Sequence, residues 1–159
     1  MGKRSSIGQR SRDAVNTIRE ALYLRDDYRC VVSQTDAGYD SPCEGPVSVQ
    51  HRVGRGAGGS ALFDDPAYLI TMCIKHNTLA ESSADFAETC RRNGWKLPRN
   101  RAHVDPVAVP VRYWDGWYEL EAGHCFRTRV YGPHAVERIT SFLHQPEVDA
   151  ESTSQDGHA

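Results

Sequence analysis

Four side chains in the first half of the chain are of the types that hold a tetrahedral ion: Cys30, Cys43, Cys73 and His76. Cys73 and His76 stand two residues apart, a gap that lets neighbours on one tight turn grip the same ion, and Cys30 and Cys43 flank a loop. Together these sulfur and nitrogen donors would close a structural zinc site. The alternative is a set of buried or free thiols, because the first pair is not Cys-x-x-Cys: Cys30-Val-Val-Ser33 stands in that place. The chain has 5 cysteines, an odd number, and no charged-then-apolar leader at its start, which argues against a disulfide framework.

Between these donors lies His51, followed by Arg52 and Arg55. An imidazole at a strand end, opposite a helix-borne oxygen such as that of Asn77, is what metal-assisted phosphodiester hydrolysis needs. The ring takes a proton from the attacking water, and a magnesium or manganese ion held by oxygens stabilises the pentacovalent phosphate and the leaving oxygen. His51 could equally be a packing residue, and Asn77 could serve only the first turn of its helix. Arg52 and Arg55 are candidate phosphate contacts, since no nearby acid in the sequence offers them a mate.

Elements must bring these residues together. Val15, Ile18 and Leu22 recur at helical spacing from a cap at Ser11 to about Arg25. Residues 28–51 carry Gly38, Pro42, Gly45 and Pro46 between Val-rich pieces and suggest an irregular hairpin, with Val47–Val49 as its second strand delivering Gln50 and His51. Gly54–Gly59 lacks the Lys-Ser/Thr of a phosphate loop and is expected to be a flexible connection. From His76 to Asn93 one helix is expected, with Leu79, Ser83, Phe86, Ala87 and Cys90 inward, Asn77, Glu81 and Glu88 outward, and Gly94 as its stop. Beyond a proline-punctuated basic stretch, Val109–Trp114 and Trp117–Glu121 flank Asp115-Gly116, a type I′ hairpin signal. A third strand near Cys125–Val130 and a helix from Pro133 with Val136, Ile139 and Leu143 complete the pattern. Trp114, Trp117 and Tyr118 would form the core of this small sheet or, alternatively, a stacking platform for bases.

The 159 residues fit one domain with an appended element, and the formal charge is −2, with 25% charged and 39% hydrophobic residues. The stretch from Ala67 to Ile74 is too short to cross a bilayer, so no membrane role and a cytoplasmic location are expected. The near-neutral total hides segregation: Lys3, Arg4, Arg10 and Arg12 open the chain, Arg91, Arg92, Lys96, Arg99 and Arg101 form a second basic run, and the end is acidic. Such runs can contact DNA phosphates whatever the overall charge.

The series Cys30, Gln50-His51-Arg52, Gly58-Gly59, Asp65-Pro66-Ala67-Tyr68-Leu69-Ile70, Cys73-x-x-His76-Asn77 and Glu81 resembles the small HNH endonucleases of bacteriophages, in the ββα-metal nuclease superfamily. The likeness runs over roughly residues 25–111. It implies an α+β fold: a ββα-metal core with a zinc knuckle, an N-terminal helix, and a C-terminal β-meander plus helix. With the charge and composition pattern, the expected boundaries are a basic flexible arm at 1–12, the nuclease domain with its N-terminal helix at 13–95, an extension of basic linker, β-meander and helix at 96–145 and a disordered acidic tail at 146–159. It implies His51 as general base, Asn77, Gln50 and Glu81 around a catalytic magnesium or manganese ion, and Cys30, Cys73 and His76 in a zinc knuckle. DNA is then the substrate, with a role in phage genome processing or packaging beside a terminase. Two positions depart from the pattern: Tyr68 stands where an Asn holds the active-site loop, and Ser33 replaces a knuckle cysteine, leaving Cys43 as the substitute.

Overall fold

The computed structural model describes residues 7–35, 41–54, 61–98 and 105–145. Arg55, Arg99 and Arg101, the glycines of the 54–59 loop after Gly54, and the acidic tail lie outside these residues. The described architecture is α+β, with four helices and two small antiparallel sheets.

Helix α1 spans Ile7–Arg25, starting earlier than the Ser11 cap implies, so the expected flexible arm is helical from its seventh residue. Val15 and Leu22 are buried, with Ile18 packed beside them. Strand β1 (Val47–His51) pairs antiparallel not with residues near 30, as an irregular hairpin would have it, but with β2 (Leu69–Cys73). The reason lies in composition: Leu69–Cys73 is apolar but for Thr71 and buried at every position, whereas the chain from 31 to 34 turns. Val31 still touches the ribbon, its N–H donating to Thr71 O at 3.0 Å, and this seats Cys30 beside β2.

The helix expected over His76–Asn93 is two helices, α2 (Ile74–Ser82) and α3 (Ala84–Arg92). Ser83 is extended between them, and its Oγ caps α3 by accepting from Phe86 N at 3.3 Å, the role for which serine competes against helix interiors. Glu88 therefore does not share a face with Asn77 and Glu81. It lies on α3 and pairs with Arg91 and Arg92 at 2.8 and 3.2 Å. Gly94 ends α3 with φ +70; a Cβ there would sit 1.9 Å from Pro110 O, so both the left-handed conformation and the close approach require glycine.

The second sheet runs β3 (Val111–Tyr113), β4 (Gly116–Leu120) and β5 (Arg127–Val130) in that order. Tyr113 pairs with Gly116, so the turn residues are Trp114-Asp115, one earlier than expected; neither has positive φ, which excludes type I′. Helix α4 (Gly132–Leu143) buries Ala135, Ile139 and Phe142. Val136, expected inward, is 52% exposed. One apolar cluster runs from Cys30 and Val31 through Met72, Phe86 and Trp95 to Val111, Tyr113 and Leu120, so the meander shares the core of the β1–β2–α2 unit.

Candidate metal centre and candidate active site

The Cys73 Sγ caps α2, accepting from His76 N at 3.5 Å, so the two-residue spacing becomes one turn whose thiol and imidazole face the same point. Residues 44 and 46 are tied to that turn by Ile74 N to Pro46 O at 3.0 Å and Lys75 N to Glu44 O at 3.3 Å, which brings Cys43 in; Cys30 arrives through Val31. The sulfurs of Cys30, Cys43 and Cys73 lie 3.4, 3.6 and 3.2 Å from His76 Nδ1, and all four ligand atoms fall within 4.8 Å of one another. With zinc–sulfur and zinc–nitrogen bonds of about 2.3 and 2.0 Å, the sulfur–nitrogen edge of a tetrahedron is roughly 3.5 Å. Cys43 thus completes the set of four donors.

His76 Nε2 lies 3.1 Å from Ser41 O. A carbonyl only accepts, so Nε2 carries the proton and Nδ1 presents its lone pair to the sulfurs, the orientation a metal-bound imidazole needs. Burial pushes the Cys30 thiol well up and the Cys43 thiol up, with neighbouring thiols adding to both shifts, and burial lowers the His76 pKa. A divalent cation reverses this preference by replacing protons on sulfur. These residues are close enough to bind a metal such as zinc.

Side chains alternate along β1. Val49 packs toward α1 with Val15, Leu22 and Leu69, and His51 follows it on that face. Ser48 and Gln50 face α2, where Asn77 Nδ2 donates to Ser48 Oγ at 2.9 Å and Gln50 Nε2 donates to Glu81 Oε1 at 3.3 Å. The structure therefore brings Gln50, Asn77 and Glu81 together and puts His51 on the other side of the strand. Glu81 is their only carboxylate, and Lys96 Nζ already pairs with it at 3.2 Å while donating to Ala80 O at 2.6 Å.

His51 Nε2 lies 3.0 Å from Asp64 Oδ1, a residue that no spacing in the sequence singles out. The ring also borders a groove of about 470 Å³ between α1 and β1, lined by Asn16, Arg19, Tyr23 and Val49.

Arg52 is not a phosphate contact. It is fully buried, and its guanidinium donates to Gly94 O at 2.7 Å, Ala67 O at 2.8 Å, Pro106 O at 3.1 Å and Val109 O at 2.8 Å. The signal read as a free basic residue is a cation satisfied by backbone carbonyls instead of an acid. Burial pulls its pKa down to about 9, which leaves it charged at neutral pH. Tyr68, at the position where the HNH pattern has its loop-holding Asn, is buried edge-on against Phe63. Arg52 does the holding, through Ala67 O and through its own N–H to Tyr68 O at 2.7 Å.

Of the second basic run, Arg91, Arg92 and Lys96 are described, and all three are paired with acids, with Arg92 the most exposed at 71% of its side chain. Trp114 and Tyr118 pack against the core, and Arg127 stacks over Tyr113 and Tyr118 at 4.2 and 4.5 Å, which favours the packing role over a base platform. Among the described residues, no helix is long and apolar enough to cross a membrane. Comparison with protein-family models, with curated proteins and with solved structures finds no match for this chain.

Proposed function

We propose that the chain is a DNA phosphodiester hydrolase of the HNH endonuclease type, a ββα-metal core held together by structural zinc. The observation that carries this reading is the run β1, β2, α2, in which a Cys/His cluster sits at the strand–helix junction and the last residue of β1 is a histidine backed by a carboxylate. In the proposed reaction His51 accepts a proton from water, whose oxygen attacks phosphorus as the bond to the 3′ oxygen breaks. The leaving oxygen takes a proton from solvent, giving 5′-phosphate and 3′-hydroxyl, a polarity that rests on the resemblance. A magnesium or manganese ion, when bound with substrate, would stabilise the charge on phosphate and leaving oxygen. Phage genome processing or packaging beside a terminase belongs to the same proposal.

A second reading is a zinc-stabilised DNA-binding module without catalysis. It is favoured by the placement of His51 and of the Gln50, Asn77 and Glu81 set on opposite faces of β1. Plasmid nicking with magnesium or manganese, run beside a gel shift in EDTA, separates the two. Cutting that is lost in His51→Ala supports the nuclease; binding without cutting supports the module; neither activity sinks both.

A further inference from the structure

We infer that Asp64 is the positioning residue of His51: its carboxylate fixes which ring nitrogen carries the proton and leaves Nδ1 as the ring's acceptor. This deepens the nuclease reading and rests on it for the catalytic consequence, while the pairing itself can be tested without any cleavage.

A carboxylate accepts and does not donate when ionised, so the 3.0 Å contact puts the imidazole proton on Nε2. The pair is well shielded, with 13% of the His51 side chain and 5% of the Asp64 side chain exposed. Water therefore competes poorly for this hydrogen bond, and an ionised acceptor makes it stronger than a neutral one. Asp64 ends a short 3₁₀ turn, Ala61–Asp64, that packs against α1, while His51 ends β1, so two separate elements fix the two partners.

The next residues stiffen the arrangement. Asp65 caps the following turn by accepting from Ala67 N, and its other oxygen accepts from Gly123 N at 2.9 Å. Asp64 and Asp65 thus divide the work: one holds the fold, the other faces the imidazole. As the base takes a proton from water at Nδ1, the ring becomes an imidazolium, and the Asp64 carboxylate stabilises that charge without accepting the proton itself. An oxygen on the α1 side of β1 is thereby placed to serve the imidazole at the groove.

The test uses the full-length, zinc-loaded protein labelled with ¹⁵N-histidine, with the His51 ring assigned by its loss in His51→Ala. The wild type should show Nε2 protonated and Nδ1 bare at neutral pH. Asp64→Asn, whose amide can donate to Nε2, should move the proton toward Nδ1. It should also lower kcat by ~10²–10⁴-fold with KM for DNA and zinc content unchanged, and Asp64→Glu should restore part of kcat. A wild-type ring protonated on Nδ1, or an Asp64→Asn protein that folds with tautomer and kcat unchanged, overturns the inference. So does broadening of the His51 ring signals by Mn²⁺ in the absence of DNA, which would make His51 and Asp64 ligands of one ion. A tautomer that responds to Asp64→Asn in a protein that never cuts DNA would uphold the pairing and sink the nuclease reading instead.

Discussion

Replacing Arg52 with lysine decides between two roles for one cation. The guanidinium serves backbone carbonyls of residues 67, 94, 106 and 109 at 2.7–3.1 Å, and Gly94 O and Ala67 O belong to different segments approaching from different directions. One ammonium keeps the charge but occupies a single point, so at least two of these carbonyls lose their partner. Each buried group left unsatisfied costs roughly 1–3 kcal/mol, giving about 4 kcal/mol for the pair. That is a large share of the ~5–15 kcal/mol that holds a domain together. At ~2–4 °C per kcal/mol for a chain of this size, the melting temperature should fall by about 8–16 °C. The assay is thermal or urea unfolding beside a salt titration of DNA binding at a temperature where both proteins are folded. Because the group is fully buried, affinity per folded molecule and the salt slope should not move. A slope flattened by about one unit with an unchanged melting temperature would refute the reasoning and return Arg52 to the DNA surface.

The purified protein should hold about one equivalent of zinc by elemental analysis, and Cys43→Ser should lower zinc affinity without abolishing the fold, since Cys43 is exposed and the other three donors are buried. Full zinc retention by Cys43→Ser would show that the fourth donor is another residue. Asp26→Ala should be among the most damaging single changes, about 3–5 kcal/mol by chemical denaturation. Its buried carboxylate accepts from the Arg25 guanidinium, Thr71 N and Tyr113 OH, joining α1, β2 and β3 at 2.7–2.9 Å. A loss below 1 kcal/mol would mean that the network adds little beyond the apolar packing around it.

Where the sequence was informative, local physics fixed the outcome. Val15 and Leu22 at helical spacing, Gly94 as a helix stop, and the apolar period of the last helix all correspond to observed elements. The zinc-type donors are legible because two of them sit on one turn, and the substitution of Cys43 for Ser33 is what the resemblance to the HNH pattern implies. What escaped depends on long-range pairing. Leu69–Cys73 is buried on both faces and so has no period of two to mark it as a strand, which hides the partner of β1 from the sequence. Ser82-Ser83 broke a helix that its apolar spacing would have continued. Arg52 looked unpaired because the sequence shows acids and hides carbonyls. Asp64 was missed because its relation to His51 exists only across the closed loop between β1 and β2.

The β1–β2 ribbon is pinned at both ends, and this bears on its dynamics. At the Val47–Cys73 end the Cys/His cluster, with zinc bound, would grip Cys73; at the His51–Leu69 end Arg25 donates to Leu69 O at 2.7 Å and Arg52 N to Tyr68 O at 2.7 Å. A two-stranded ribbon alone frays from its ends inward, because terminal pairs open at little cost. With both ends clamped by buried polar groups, that route is closed, and the amides that pair β1 with β2 exchange their hydrogens only when a clamp fails. The clamps differ in kind: chelation would release the Cys73 end while leaving the arginine end shut. Exchange would then spread along the ribbon from Cys73 toward His51, so that the histidine at the groove would be the last residue of its strand to lose its place.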